Sequence, residues 1–148
     1  MCLLTKPNSR KTATEDIHLY KAVLIHNSHT DKWRVVFYYD QEYPFDEVIE
    51  LRGDDEKNMI NFHNQTNTLY IGKGFLHSTR DKTAAKNIAI NNNLIELPIN
   101  TSFMHTEFMK FNAVVCECTI PKGSVYYNNY EWRDYASNKL IVHKPKNI

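Results

Sequence analysis

The chain has little charge of one sign: 18 Lys and Arg stand against 17 Asp and Glu, a net charge of +1. No long-range field follows from that balance, so a surface that tracks nucleic-acid backbone in general is not expected. Cysteine is scarce as well. Cys2, Cys116 and Cys118 are odd in number and lack framework spacing, which excludes a disulfide scaffold. No CxxC or HxxxH pair exists to start a zinc site, and the seven His are scattered (18, 26, 29, 63, 77, 105, 143), so no metal is expected. Long apolar runs are missing too. The stretch at Met1–Leu4 is too short for a signal peptide and nothing approaches a membrane span, so the expected location is the cytoplasm. Repeats and low-complexity tracts are also absent.

What is present suits a folded domain. Hydrophobic residues make up 42% of the chain, enough to build a core and too many for intrinsic disorder. Nine Tyr and seven Phe tilt the class toward strands. Strands are expected at 17–25, 33–39, 48–51, 68–71, 113–120, 125–127 and 140–143, with a short extended piece at 75–77. The first two are expected to pair as a hairpin. Ser78 or Thr79 offers an N-cap for a helix over about 80–90, with Asp81 in its first turn and an apolar stripe of Ala84, Ala85, Ile88 and Ala89. Residues 54–68 read as loop, and 94–109 fit strand, loop or helix. The expectation is one α+β domain over 1–148, a mostly antiparallel sheet of about six to seven strands with one main helix.

On a strand, Cys116 and Cys118 would share one face with Glu117 on the other, as thiols packed like small hydrophobes. With Met1 removed, Cys2 would be an N-terminal nucleophile; the plain alternative is a buried strand residue. Gly72-Lys73-Gly74 brings backbone amides and a Lys to the start of the helix, as a phosphate site would, or marks a bulge. The segment from Tyr127 through Tyr130, Trp132 and Arg133 to Tyr135 holds the residue types enriched at binding hot spots. These five, with Lys73 and His77, are the binding candidates. A protein partner or self-association is expected, and a nucleotide is admitted.

Ile71-Gly72-Lys73-Gly74-Phe75-Leu76-His77-Ser78, Ile120-Pro121-Lys122-Gly123-Ser124, Tyr126-Tyr127 and Tyr135-Ala136-Ser137-Asn138-Lys139-Leu140 resemble segments of a family of small uncharacterised proteins of tailed phages and gut bacteria. Met1-Cys2-Leu3, Thr5-Lys6, Asp16-Ile17 and Tyr20-Lys21 extend the likeness to the N-terminus, while residues 27–68 lie outside it. Leu76 is inserted between Phe75 and His77, where the family runs Gly-Phe-His or Gly-Leu-His, and one extra residue reverses a strand face. The resemblance implies a phage or prophage accessory protein. It would act in the host cytoplasm by binding a host protein, a defence component, a nucleotide signal or a virion assembly, without a cofactor. Arg52-Gly53, Ser78-Thr79 and Glu131 fall in the order used by ADP-ribosyltransferases. That likeness implies NAD, with Arg52 on the pyrophosphate, Ser78 on the ribose and Glu131 on the developing positive charge. Arg133 replaces the second Glu of that pattern. The plain alternative is a turn, a helix cap and a surface residue.

Overall fold

Long antiparallel ladders dominate the computed structural model, which describes residues 3–27, 33–37, 41–50, 60–72, 75–87, 111–129 and 133–145. Thirteen strands lie among them: β1 (Leu3–Thr5), β2 (Lys11–Thr12), β3 (Ile17–Asn27), β4 (Trp33–Phe37), β5 (Gln41–Tyr43), β6 (Val48–Glu50), β7 (Ile60–His63), β8 (Thr68–Ile71), β9 (Leu76–Thr79), β10 (Phe111–Ile120), β11 (Val125–Asn128), β12 (Asp134–Ser137) and β13 (Lys139–Val142). One short helix, α1, covers 82–87. The fold is mostly antiparallel β with that helix, and it has more strands than the sequence suggested.

The larger sheet has ten strands in the order β2-β11-β12-β9-β3-β10-β13-β6, with β4 and β5 branching from β3. Its axis is the β3–β10 ladder, which runs in register from Ile17 opposite Ile120 to His26 opposite Phe111. Both strands are rich in β-branched and aromatic residues, which fit a pleated surface. The β3–β4 hairpin forms as expected, with Asn27 opposite Trp33. Alternate residues of β3, β10, β13 and β6 turn to one face. Leu19, Val23, Cys116, Cys118, Ile120, Leu140, Val142 and Ile49 there join Leu76 and Tyr135 in the main core. Each large apolar side chain so removed from water contributes about 1.5–3 kcal/mol.

The second sheet is β1-β8-β7. Its Leu3 and Ile71 pack with Phe75, Tyr127 and Ala136, on the opposite face of β9, β11 and β12, as a second core. Strand β7 corrects the described part of the loop expected over 54–68, of which 54–59 lie outside the described residues. Asn64 to Asn67 is only the tip of a hairpin in which His63 faces Thr68, and Asn67 takes the positive φ that Asn tolerates. The strand was hidden because Asn61, Phe62 and His63 are all exposed, so its burial does not alternate.

The helix start is also corrected. Ser78 and Thr79 lie inside β9, opposite Tyr135 and Asp134, rather than at a cap. Asp81 is the cap: its Oδ1 accepts from Thr83 N at 2.9 Å and Ala84 N at 3.1 Å, satisfying two amides that the helix leaves open. Residues 88–90 of the expected helix, and the open segment 94–109, lie outside the described residues.

Candidate functional site

Strands β3 and β9 meet at a single pair, Tyr20 opposite Thr79. Beyond it the start of β3 separates from Arg80, and a cleft of about 570 Å³ opens between them. Thr14, Glu15 and Asp16 form one lip, Ile17 and His18 continue it, and Arg80, Tyr126 and Tyr135 face them.

Backbone chemistry holds the lip in place. Ala13 N donates to Ser124 O and Gly123 N to Ala13 O, each at 2.8 Å, and Asp16 Oδ1 accepts from Lys122 N at 2.8 Å. The Pro121–Ser124 turn that supplies these partners needs a positive φ at its third residue, and Gly123 has φ 90° there. Ile120-Pro121-Lys122-Gly123-Ser124 is therefore the brace of the cleft's acidic lip.

On the other side, Arg80 N donates to Arg133 O at 2.8 Å, which fixes where the side chain leaves the sheet. The guanidinium lies 5.4 Å from the centre of the Tyr135 ring, within cation–π reach. Arg80 is exposed and forms no ion pair among the described residues. The Tyr126 and Tyr135 rings are 5.8 Å apart and inclined at 32°. Burial raises the Tyr126 phenol above its ordinary value; Tyr135 adds to the rise and Arg80 opposes it. The wall therefore offers one cation and the half-buried Tyr126 ring.

His18 joins this cleft to a hydrogen-bonded chain on the outer face of the sheet. Its Nδ1 is 3.2 Å from Thr119 Oγ1, which is 2.7 Å from His143 Nε2, and His143 Nδ1 is 3.2 Å from Asp46 Oδ1. Thr119 faces His18 in the β3–β10 register, and His143 is held by its own N–H to Glu117 O at 2.9 Å. Asp46 N donates to Val142 O at 2.8 Å, which brings the carboxylate to the end of the chain.

The inner face of the same strands holds a different set. Lys21 stands opposite Cys116, its half-buried side chain donates to His77 O at 2.5 Å, and burial lowers its pKa to about 8. Cys116 and Cys118 are free, buried thiols pushed up to about 12 by burial. They share a face with Glu117 exposed on the other, as the two-residue spacing requires. A thiol with so high a pKa carries almost no thiolate at neutral pH and is a packing residue.

The sequence-based candidates divide. Tyr127 is a core residue rather than a docking side chain: it is buried, and its ring meets Phe75 edge-on at 5.8 Å. Tyr135 is 1% exposed and serves as a wall of the cleft. His77 is buried, with Nε2 2.8 Å from Gly72 O, and burial lowers its pKa to about 3, so it is a neutral structural donor rather than a contact residue. Arg133 is exposed, with its guanidinium closed on Asp134 at 3.0 and 3.2 Å. Ser78 is buried, and its hydroxyl has no partner among the described residues. Lys73, Tyr130, Trp132, Arg52, Glu131 and Cys2 lie outside the described residues, so the transferase set reduces to Ser78, which does not line the cleft.

The residues that do line it were spread too widely to be found together. Tyr126, Tyr135, Asp16 and Ile17 carried a signal, because they lie in the quoted motifs, and nothing in the sequence joined them to Arg80. Among the described residues no His, Cys, Asp or Glu cluster is placed to hold a metal, and no helix is long and apolar enough to cross a membrane. Comparison with protein-family models, with curated proteins and with solved structures finds no match.

Proposed function

We propose that the protein works by binding rather than by catalysis, and that the cleft between β3 and Arg80 is where it binds a small anionic ligand. The observation that carries this reading is Arg80: an exposed guanidinium without an acidic partner among the described residues, set over Tyr135 and beside Tyr126 on the wall of a cleft of about 570 Å³. A guanidinium of this kind grips a phosphate or carboxylate through paired N–H donors, and the half-buried Tyr126 ring beside it provides a surface on which a planar group stacks. The likeness to phage proteins gives the reading its setting, an accessory protein that captures a host nucleotide signal. A protein partner bearing an acidic side chain is the same chemistry on a larger carrier.

The test is thermal melting with NAD, ADP-ribose, cyclic mononucleotides and cyclic dinucleotides. A ligand at about 100 times its Kd stabilises by about 2.7 kcal/mol, which raises the Tm of a domain of this size by roughly 5–10 °C. Arg80→Ala is expected to abolish that rise. A rise that survives Arg80→Ala, or no rise with any of these ligands, would remove the cleft from consideration as an anion site.

A further inference from the structure

We infer that β7 is a self-association edge: it pairs antiparallel with β7 of a second copy of the chain and joins two three-stranded sheets into one of six strands. The inference is independent of the cleft, which lies in the larger sheet and takes no lining residue from β7.

A strand at the end of a sheet presents a row of backbone N–H and C=O groups that pair with any extended chain. Folds blunt such rows with short strands, charges, prolines or cover. Among the described residues the sheets end at β1, β2, β5, β6 and β7, and all but β7 are blunted. β2, β5 and β6 are two or three residues long. Lys11 stands on β2, and Glu50 of β6 is bridged to Lys139 at 3.8 Å. β1 is covered: Leu3 and Thr5 are buried, and the Thr5 hydroxyl donates to Asn128 O of β11. β7 has four residues, Ile60-Asn61-Phe62-His63, without a Lys, Arg, Asp, Glu or Pro. Its ladder with β8 runs without a bulge from Ile60 opposite Ile71 to His63 opposite Thr68. Asn61, Phe62 and His63 are exposed, and the far edge of β7 meets no strand among the described residues.

The occupant follows from the rows of side chains that end there. On the face turned to the second core, one row runs Leu3, Ile71, Ile60 and the next runs Thr5, Leu69, Phe62. The second row stops in water, with Phe62 49% exposed. A two-fold axis normal to the sheet at Asn61 sets that residue opposite its own copy. Ile60 then stands opposite the partner's Phe62, and Phe62 opposite the partner's Ile60, all on one face. Each apolar row runs on into an apolar row of the second copy. A slip of one residue would turn the apolar face of one sheet to the polar side of the other. Asn61 meets Asn61, an amide that both donates and accepts, and the strand holds no charge to repel its copy.

The experiment is sedimentation equilibrium on the full chain, as wild type, Phe62→Lys and Val48→Lys. Wild type is expected to move from 17.4 kDa toward twice that mass as its concentration rises toward about 1 mM. Phe62→Lys sets a charge in each apolar row and stays at the mass of one chain. Its Tm in dilute solution remains within about 2 °C of wild type, as for a surface substitution. Val48 is as exposed, at 53%, but stands on β6, so Val48→Lys associates like wild type. Thiol cross-linking tests the register. Asn61→Cys brings two Cβ atoms to about 5 Å across the axis, and a short cross-linker joins them. Leu4 lies on the same face as Asn61 and is 54% exposed, but five strand spacings hold its two copies about 24 Å apart, so Leu4→Cys is not joined. A wild type that keeps the mass of one chain throughout overturns the inference and leaves the edge to a strand of another protein. Association that survives Phe62→Lys, or that is lost with Val48→Lys, overturns it too, as does cross-linking of Leu4→Cys without Asn61→Cys. Should Phe62→Lys fail to fold, the two cysteine variants decide.

Discussion

On the inner face of the β3–β10 ladder stand Lys21, Cys116 and Cys118; on the outer face of the same two strands stand His18 and Thr119. The pairs are one or a few residues apart in sequence, yet their environments differ in kind. Inside, burial moves every ionisable group toward its neutral form, the lysine down to about 8 and the thiols up to about 12. Outside, the imidazole and hydroxyl groups are joined in a line that ends at an exposed carboxylate. The period of two along a strand is enough to separate groups that pack from groups that can exchange protons and hydrogen bonds with a ligand. Chemical residue type alone would have put the cysteines first among reactive candidates; their side of the strand puts them last.

The largest test of what burial does to an ionisable group is acid, applied to His77, which is buried opposite Ala136 of the second core. Its pKa in the fold is about 3 against an ordinary 6.5, because burial and the nearby Lys21 both disfavour the cation. The folded value is depressed, so the stability it confers is complete above about pH 6.5 and is lost as pH falls toward 3. By pH 4 the loss is about 3 kcal/mol. His77→Gln retains a donor for Gly72 O without a proton to take up. Urea melts from pH 7 to 4 should show the variant losing about 3 kcal/mol less than wild type. Parallel losses would mean that His77 is not the group held neutral by the core.

Alkali probes the other buried groups, with a smaller effect. Lys21 has its folded pKa lowered from 10.5 to about 8, so the unfolded chain holds the extra proton between those values and stability rises with pH from about 8. Cys116 and Cys118 are raised from 9 to about 12, so above about pH 9 the unfolded chain loses protons first and stability falls. The rise is at most about 1.4 kcal/mol per pH unit, and two thiols reverse it, which puts a maximum near pH 9. Lys21→Met should remove the rise and leave the fall. A wild-type profile flat from pH 8 to 9 would show that the ammonium is better hydrated than its place in the sheet implies.

Legibility in the sequence follows the same division. Strands β3, β8 and β10 were readable because β-branched and aromatic residues announce them, and the shared face of Cys116 and Cys118 followed from spacing alone. Strand β12 was not, since Asp134, Ala136 and Ser137 have low strand propensity and are held by pairing with β9 and β11 on both sides. The edge strand β7 was lost because one exposed face after another removes alternation. Neither the cleft nor the hydrogen-bonded line was readable, because Arg80, Tyr126 and His18, or Asp46, Thr119 and His143, are brought together only by the order β11-β12-β9-β3-β10-β13. Tyr127 was misplaced for a related reason: adjacent tyrosines on β11 face opposite ways, Tyr126 to the cleft and Tyr127 to the second core.

The smallest expected effect lies at the solvent end of the outer line. Asp46 is 60% exposed at its side chain, and its contact with His143 is the kind of surface pair that contributes little. Its φ of 61° is a conformation that Asn also tolerates, so Asp46→Asn adds no backbone strain. The amide oxygen can still accept a hydrogen bond from His143 Nδ1–H. Urea denaturation at pH 7 should therefore place Asp46→Asn within about 0.5 kcal/mol of wild type. A loss of about 2 kcal/mol or more would mean that the outer line holds the fold together as the inner cluster does. In that case its four residues are scaffold, and the contrast between the two faces of β3 and β10 is one of position without a difference in role.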